Sequence, residues 1–209
     1  MQLTDATDAL SLTRQMIDIP SVSGEEGPLA DAVEAALRGA GFGSVDTLEI
    51  LRDGDAVCAR THLGLPQRVV LAGHLDTVPI AENVPGRLEV RDGVEVVWGR
   101  GSVDMLGGCA AALALACEAG ALIGGGAREA LTADVTWIFY DHEEVASHFN
   151  GLGRIQRLYP QWLAGDLALL GEPTAAHVEG GCNGTLRVIA HFPGRAAHSA
   201  RAWMGVNAI

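Results

Sequence analysis

Apolar and polar positions alternate along the chain in a way that predicts helices and strands in turn. Residues 5–18 and 28–40 repeat their apolar positions at roughly helical spacing, and residues 107–122 form an Ala-rich helical stretch. Strands are predicted at 45–51, 56–60, 68–72, 134–140, 167–170 and 186–192, a hairpin at 88–90 and 95–97, and a last helix at 151–163. This order predicts an α/β fold, with a mixed, mostly parallel sheet flanked by helices.

Three of the predicted strands end in imidazole or carboxylate groups. One strand runs into His74 and Asp76, a second into Glu143 and Glu144, and a third into Glu172. In open α/β sheets, ligands bind beyond the carboxyl ends of the strands. We therefore expect these side chains to converge on one site.

A further carboxylate, Asp104, lies in a Gly-rich turn before the Ala-rich helix. Imidazole nitrogen and carboxylate oxygen are ligands that Zn²⁺ takes in proteins. A carboxylate can bridge two ions, and a pair of ions can clamp both sides of a bond under hydrolysis. The candidate metal ligands are His74, Asp104, Glu144 and Glu172.

Two other acids near these ligands have different expected roles. Glu143 is free to act as a general base that takes a proton from water and passes it to a leaving amine. Asp76 points to the same side of an extended chain as His74 and can orient its ring. A helix cap or a solvated face is the ordinary explanation of such acids, but their position after apolar strands favours metal chemistry.

The other titratable residues are expected to have ordinary roles. Arginines could hold substrate carboxylates by bidentate pairing, although each alone is more typical of a surface position. The cysteines show no CxxC spacing, which favours reduced thiols. These residues are His62, His142, His148, His177, His191, Arg187, Arg195, Arg201, Cys58, Cys109, Cys117 and Cys182.

Composition narrows the range of partners and of cell compartments. The 209 residues carry a formal net charge of −12, which argues against binding of nucleic acid. The N-terminus lacks the cationic and then apolar layout of a signal peptide. The longest apolar stretch, 109–123, contains Glu118 and Gly120 and is judged too short to span a membrane. We expect a cytoplasmic protein with no nucleic-acid or membrane partner.

Five motifs in order resemble the M20 family of two-zinc amidohydrolases and peptidases. They are GHLDTVP, GRGSVDMLGG, the pair Glu143–Glu144, GEPT and GRAAHSARAWMGVNAI. Within this family the chain is most similar to the actinobacterial succinyl-diaminopimelate desuccinylases. This narrower similarity rests on the sequence DHEEV around the Glu143–Glu144 pair and on the segment 198–203. The resemblance implies hydrolysis of N-succinyl-LL-2,6-diaminopimelate, an N-acyl amino acid, to succinate and LL-2,6-diaminopimelate in lysine and cell-wall precursor synthesis. Other assignments remain open: an acetylornithine deacetylase, an aminoacylase or a dipeptidase of the same family, or an inactive fragment of the fold.

The resemblance also implies a role for each matching residue. His74 and Glu172 bind one zinc ion, Glu144 binds the other, and Asp104 bridges them, with Co²⁺ as a possible substitute. The implied catalytic residues are Glu143 as base, Asp76 as support of His74, and His198. In the family, the residue at the place of His198 reaches across a homodimer to polarise the scissile carbonyl in the partner's site.

The resemblance finally predicts how the chain divides. Residues 1–178 are expected to form the N-terminal part of a di-zinc catalytic domain, and residues 179–209 to begin an α+β lid and dimerisation domain. The family takes a further His ligand from near the C-terminus of a longer chain, and no position up to 209 matches it. We therefore expect a C-terminally truncated chain that binds the second metal weakly and whose own activity is in question.

Overall fold

The computed structural model describes residues 2–4, 7–181, 186 and 188–208. The chain forms two compact units, Met1–Ala175 and Ala176–Ile209, and each is described by itself. The catalytic and lid roles expected for 1–178 and 179–209 stay predictions. Cys182, Arg187 and Ile209 lie outside the described residues.

The first unit alternates helices and strands, as the pattern predicts. Its helices are α1 (Ala9–Ile17), α2 (Gly27–Gly39), α3 (Leu106–Gly124) and α4 (Gly151–Leu158). Its strands are β1 (Leu48–Asp53), β2 (Ala56–Thr61), β3 (Arg68–His74), β4 (Arg87–Arg91), β5 (Val94–Trp98), β6 (Asp134–Tyr140) and β7 (Leu167–Leu170).

Five of these strands form one sheet in the order β1-β2-β6-β3-β7. β2 is antiparallel to both β1 and β6, whereas β3 is parallel to both β6 and β7. β4 and β5 form the separate hairpin that the Asp-Gly turn predicts. The predicted mixed sheet flanked by helices is confirmed, with half of its strand pairings parallel.

The sheet has a core on each face because side chains of a strand alternate between faces. Val57 and Ala59 of β2 pack with Trp137 and Phe139 of β6 in the core that includes residues of α1, α2 and α3. The neighbouring positions face the other way and pack with residues of α4 and of the short 3-10 helix Pro160–Trp162. This second core contains Ala56, Cys58, Val70, Ile138, Tyr140, Ile155 and Trp162.

α3 is longer than the apolar stretch predicted at 109–123. By length and composition it could cross a membrane, so the expectation that this stretch is too short was wrong. A helix that is apolar on all sides is also typical of a protein core. α3 packs against α1, α2, β3 and β6, and eight of its residues are buried.

Two predicted elements differ from the structure. α4 ends at Leu158 rather than 163, because Pro160 cannot continue an α-helix and starts the short 3-10 helix instead. The strand predicted at 186–192 is absent among the described residues of that range. Its apolar side chains are exposed and no neighbouring strand pairs with them, which a stable strand requires. In the second unit, Ser199–Met204 form a 3-10 segment.

Gly108 allows the first turn of α3 to lie against the end of β7. A Cβ at Gly108 would overlap the carbonyl oxygen of Gly171, next to Glu172. We expect Gly108→Ala to lower the free energy of unfolding by about 1–3 kcal/mol, as other overpacked sites do. Gly124→Ala, in the same helix with open space around it, should instead raise it by up to about 1 kcal/mol. Urea unfolding of both variants measures this, and equal effects would contradict the packing argument.

Candidate metal centre

The carboxyl ends of three parallel strands lie side by side and carry the candidate site. β3 is the middle strand, and His74 is its last residue. The Leu75 N–H donates to the Tyr140 carbonyl at 2.7 Å, and the Gly171 N–H donates to the Ala72 carbonyl at 3.0 Å. The loops that leave β3, β6 and β7 therefore start next to one another.

His74 is the residue around which the site is arranged. Its side chain is 1% exposed. Its Nδ1 lies 2.9 Å from the Asp76 carbonyl oxygen, and its Nε2 lies 3.2 Å from Asp104 Oδ1 and 4.0 Å from Glu172 Oε1. One ring nitrogen thus contacts the backbone while the other faces carboxylates.

The structure brings the four predicted ligands together, and Glu143 with them. The donor atoms of His74, Asp104 and Glu172 lie within 4.8 Å of one another, and so do those of His74, Glu143 and Glu144. His74 belongs to both groups. The pKa values of Glu144 and Glu172 are raised by burial and by the neighbouring carboxylates, Asp104 foremost. Crowded carboxylates around one imidazole repel one another, so a divalent cation suits this donor set.

Asp76 supports both His74 and the loop after β6. Its buried carboxylate accepts hydrogen bonds from Ser23 Oγ at 2.7 Å, the Glu143 N–H at 2.9 Å and the Glu144 N–H at 3.0 Å. Its Oδ1 is 3.4 Å from His74 Nδ1. Burial alone would raise the pKa of Asp76, but these hydrogen bonds outweigh it and lower the pKa to about 2. Asp76 is therefore a carboxylate throughout the physiological range.

The protonation of His74 predicts how metal binding depends on pH. Burial by itself lowers the pKa of His74, but the carboxylates of Asp76 and Glu172 raise it to about 9. A metal ion needs the unprotonated nitrogen, so below pH 9 binding must release the proton. We expect the apparent affinity for Co²⁺ to fall about tenfold for each pH unit from 8 to 6. Calorimetry in buffers of different ionisation enthalpy should show about one proton released. An affinity independent of pH would contradict the prediction.

Sequence reasoning missed several residues that surround the site. Glu26, Ser23 and Asp141 are not among the candidates that the sequence pattern indicates. Asp141 is buried, receives a hydrogen bond from Arg154 at 2.8 Å and lies 2.8 Å from the ring of His142. The available signal was that Asp141 directly continues the apolar strand before the Glu143–Glu144 pair.

The other candidates belong to neither donor group. His198 belongs to the second unit, where its Nδ1 accepts a hydrogen bond from the Ala200 N–H at 3.2 Å. Arg195 and Arg201 are exposed residues of the same unit, and their substrate roles stay predictions. In the first unit, exposed His62 pairs with Glu49, and His148 contacts the ring of Phe149. The described cysteines Cys58, Cys109 and Cys117 are free and buried.

Comparison with known proteins identifies the family. Residues 70–193, which include most of β3, all of α3 and all the gathered ligands, match the family described as Peptidase family M20/M25/M40. The chain belongs to this family. The resemblance read from the five motifs is thereby confirmed.

The M20 chain also matches curated relatives along most of its own length. It is 50% identical over 202 residues to the protein named DapE in Mycobacterium tuberculosis, covering 97% of this chain and 52% of that protein. It is 47% identical over 208 residues to the succinyl-diaminopimelate desuccinylase of Corynebacterium glutamicum, covering 97% of this chain and 51% of that protein. The chain thus spans about half the length of the curated relatives it matches.

Solved structures agree with the M20 fold. A tripeptidase from Staphylococcus aureus has a TM-score of 0.61 at 14% identity, covering 99% of this chain and 54% of that one. The M20 family metallo-carboxypeptidase Sso-CP2 from Sulfolobus solfataricus has a TM-score of 0.58 at 15% identity, covering 78% and 37% of the respective chains. At these identities the likeness concerns the fold alone.

Proposed function

We propose that this M20 protein is a two-zinc amidohydrolase that cleaves N-succinyl-LL-2,6-diaminopimelate to succinate and LL-2,6-diaminopimelate. The observation that carries the proposal is the gathering of His74 with four carboxylates beyond the ends of β3, β6 and β7. The identity of 47% to a desuccinylase over nearly the whole chain supports the choice of substrate.

The two donor groups support a division between two ions. In this proposal His74 and Glu172 would hold one zinc ion, Glu144 would hold the other, and Asp104 would supply oxygen donors to both. When bound, such ions supply Lewis acidity that polarises an amide carbonyl and makes water a stronger acid. Co²⁺ is expected to substitute, because it accepts the same nitrogen and oxygen donors.

The chain's own residues supply the proton transfer. Glu143 is exposed and Glu144 is partly buried, although both carboxylates lie near His74. An exposed carboxylate can reach both a water and a bound substrate, so Glu143 suits the general base. It takes a proton from the attacking water and delivers it to the departing amine, while Asp76 holds its backbone N–H in place.

Further parts of the proposal follow from the family resemblance. Residues 1–178 belong to the catalytic domain, and residues 179–209 begin a lid and dimerisation domain. His198 acts on the scissile carbonyl in the partner site of a homodimer. The protein works in the cytoplasm on a small N-acyl amino acid, without a nucleic-acid or membrane partner.

Substrate profiling of the full-length protein tests the function. With Zn²⁺ or Co²⁺ added, release of succinate from N-succinyl-LL-2,6-diaminopimelate should exceed deacylation of acetylornithine and cleavage of dipeptides. A preference for acetylornithine or for dipeptides would replace the proposed substrate within the family. Absence of metal binding together with absence of turnover would indicate a non-catalytic member.

A further inference from the structure

Glu26 is a fully buried carboxylate at the start of α2. Among the described residues no Lys or Arg pairs with it, and its Oε1 lies 3.5 Å from Nδ1 of the His142 ring. Its Oε2 accepts a hydrogen bond from the Gly24 N–H at 2.8 Å, and its Oε1 accepts one from the His142 N–H at 3.2 Å. A buried carboxylate is costly unless it is well hydrogen-bonded, so these contacts, with the N-terminus of α2, must stabilise it. The bond to His142 joins residues 116 positions apart.

His142 occupies the turn that directs the catalytic loop. Its φ of 59° is left-handed, a conformation that non-glycine residues rarely adopt without support. The next two residues, Glu143 and Glu144, both point their N–H groups at the carboxylate of Asp76. Glu26 accepts a hydrogen bond from the backbone N–H of His142, and Asp141 contacts its ring. Both contacts stabilise this turn.

The same N-terminal segment also holds the loop after β3. Ser21 Oγ donates to the Leu75 carbonyl at 2.8 Å, and Ser23 Oγ donates to Asp76 Oδ2 at 2.7 Å. Val22 forms an isolated parallel bridge with Thr77. The segment 21–26 therefore ties the loop that follows His74 to the loop that carries Glu143 and Glu144.

We propose that Glu26 is a positioning residue that sets the orientation of the Glu143–Glu144 pair through the backbone of His142. Its side chain does not cap α2, since it accepts no hydrogen bond from that helix. The Leu29 and Ala30 N–H groups bond the backbone carbonyl of Glu26. The catalytic consequence of this role rests on the proposed function, but the positioning itself can be measured without metal.

Glu26→Asp tests the length of the side chain while keeping its negative charge. Aspartate keeps the negative charge at the start of α2 and is a favoured residue at a helix N-cap, so the helix should persist. It is one methylene shorter and cannot span to the His142 N–H. We expect amide hydrogen exchange at 142–144 to become at least about tenfold faster in the metal-free chain, because opening of the turn no longer breaks this bond. Affinity for Co²⁺ should fall about 10–100-fold, with a changed visible spectrum.

Asp134→Asn is the matched control. Asp134 is also buried and accepts the Thr61 hydroxyl and the Leu63 and Leu65 N–H groups, but it starts β6 at the end opposite the site. This variant should lose stability and speed exchange at 63 and 65, yet leave exchange at 142–144 and the Co²⁺ spectrum unchanged. Glu26→Gln keeps the length of the side chain, so its exchange rates at 142–144 should lie between those of wild type and Glu26→Asp. This variant replaces Glu26→Asp in the experiment if Glu26→Asp does not fold.

The outcomes separate the two proposals. Unchanged exchange at 142–144 in both Glu26 variants would overturn the positioning role, whatever the metal does. Changes of equal size at 142–144 in Asp134→Asn would also overturn it, because they would indicate general destabilisation. A wild-type chain that binds no Co²⁺ would overturn the proposed function while leaving the exchange experiment decisive for Glu26.

Discussion

His74→Ala is expected to weaken metal binding strongly, first of all for the ion that His74 would hold together with Glu172. His74 is the one nitrogen donor shared by the groups with Asp104 and Glu172 and with Glu143 and Glu144. Structural zinc sites with four ligands bind with about 10–16 kcal/mol, or about 2.5–4 kcal/mol for each ligand. Losing this donor should therefore weaken Zn²⁺ or Co²⁺ binding by about 10²–10³-fold or more. Isothermal titration of the 209-residue chain measures the loss.

His62→Ala provides the comparison. His62 lies in the same unit, on the surface beside Glu49, and belongs to neither donor group. We expect the metal affinity of His62→Ala to match that of wild type. Retention of tight binding by His74→Ala, or an equal loss in His62→Ala, would refute the assignment of His74 as a metal ligand.

Glu143→Gln should abolish turnover while preserving metal binding. The amide keeps the size of the side chain and the backbone bond to Asp76 but cannot accept a proton at neutral pH. General-base catalysis contributes about 10²–10⁴-fold, so kcat of the full-length protein should fall by about that factor. Steady-state assay of succinate release, paired with metal analysis of the same sample, checks both halves of the expectation.

Glu144→Gln is the reciprocal variant at the adjacent residue. Its N–H is also held by Asp76, so the backbone should be unaffected. If Glu144 is a ligand, this variant loses metal affinity, and added metal restores part of its activity. Glu143→Gln should gain nothing from added metal. If instead Glu143→Gln lost metal affinity and Glu144→Gln kept it without turnover, the roles assigned to the two residues would be reversed.

The periodicity of the chain was sufficient to predict most elements and the sheet class, because strand and helix periods are local properties. It failed at two elements, for different reasons. The strand expected at 186–192 has β-forming residues, but among the described residues none pairs with another strand. α4 ended early for a local reason, Pro160, which the apolar periodicity obscured.

The site divides in the same way between sequence and structure. The convergence of His74, Glu143, Glu144 and Glu172 was predictable, because polar groups at the ends of apolar strands mark the edge where parallel strands meet. Asp104 was indicated instead by its Gly-rich turn before α3. The supporting residues were not, because Glu26 and Ser23 occupy a polar loop without periodicity. Their partners lie 116 and 53 positions away.

The sequence by itself determined the fold class, the donor types and the family motifs of this protein. Only the tertiary structure decided that one imidazole serves both groups of carboxylates and that the segment 21–26 fastens two loops of the site. The physical reason is that residue types and their spacing are local properties of the sequence. Hydrogen bonds between distant loops arise only when packing of the sheet and helices brings those loops together.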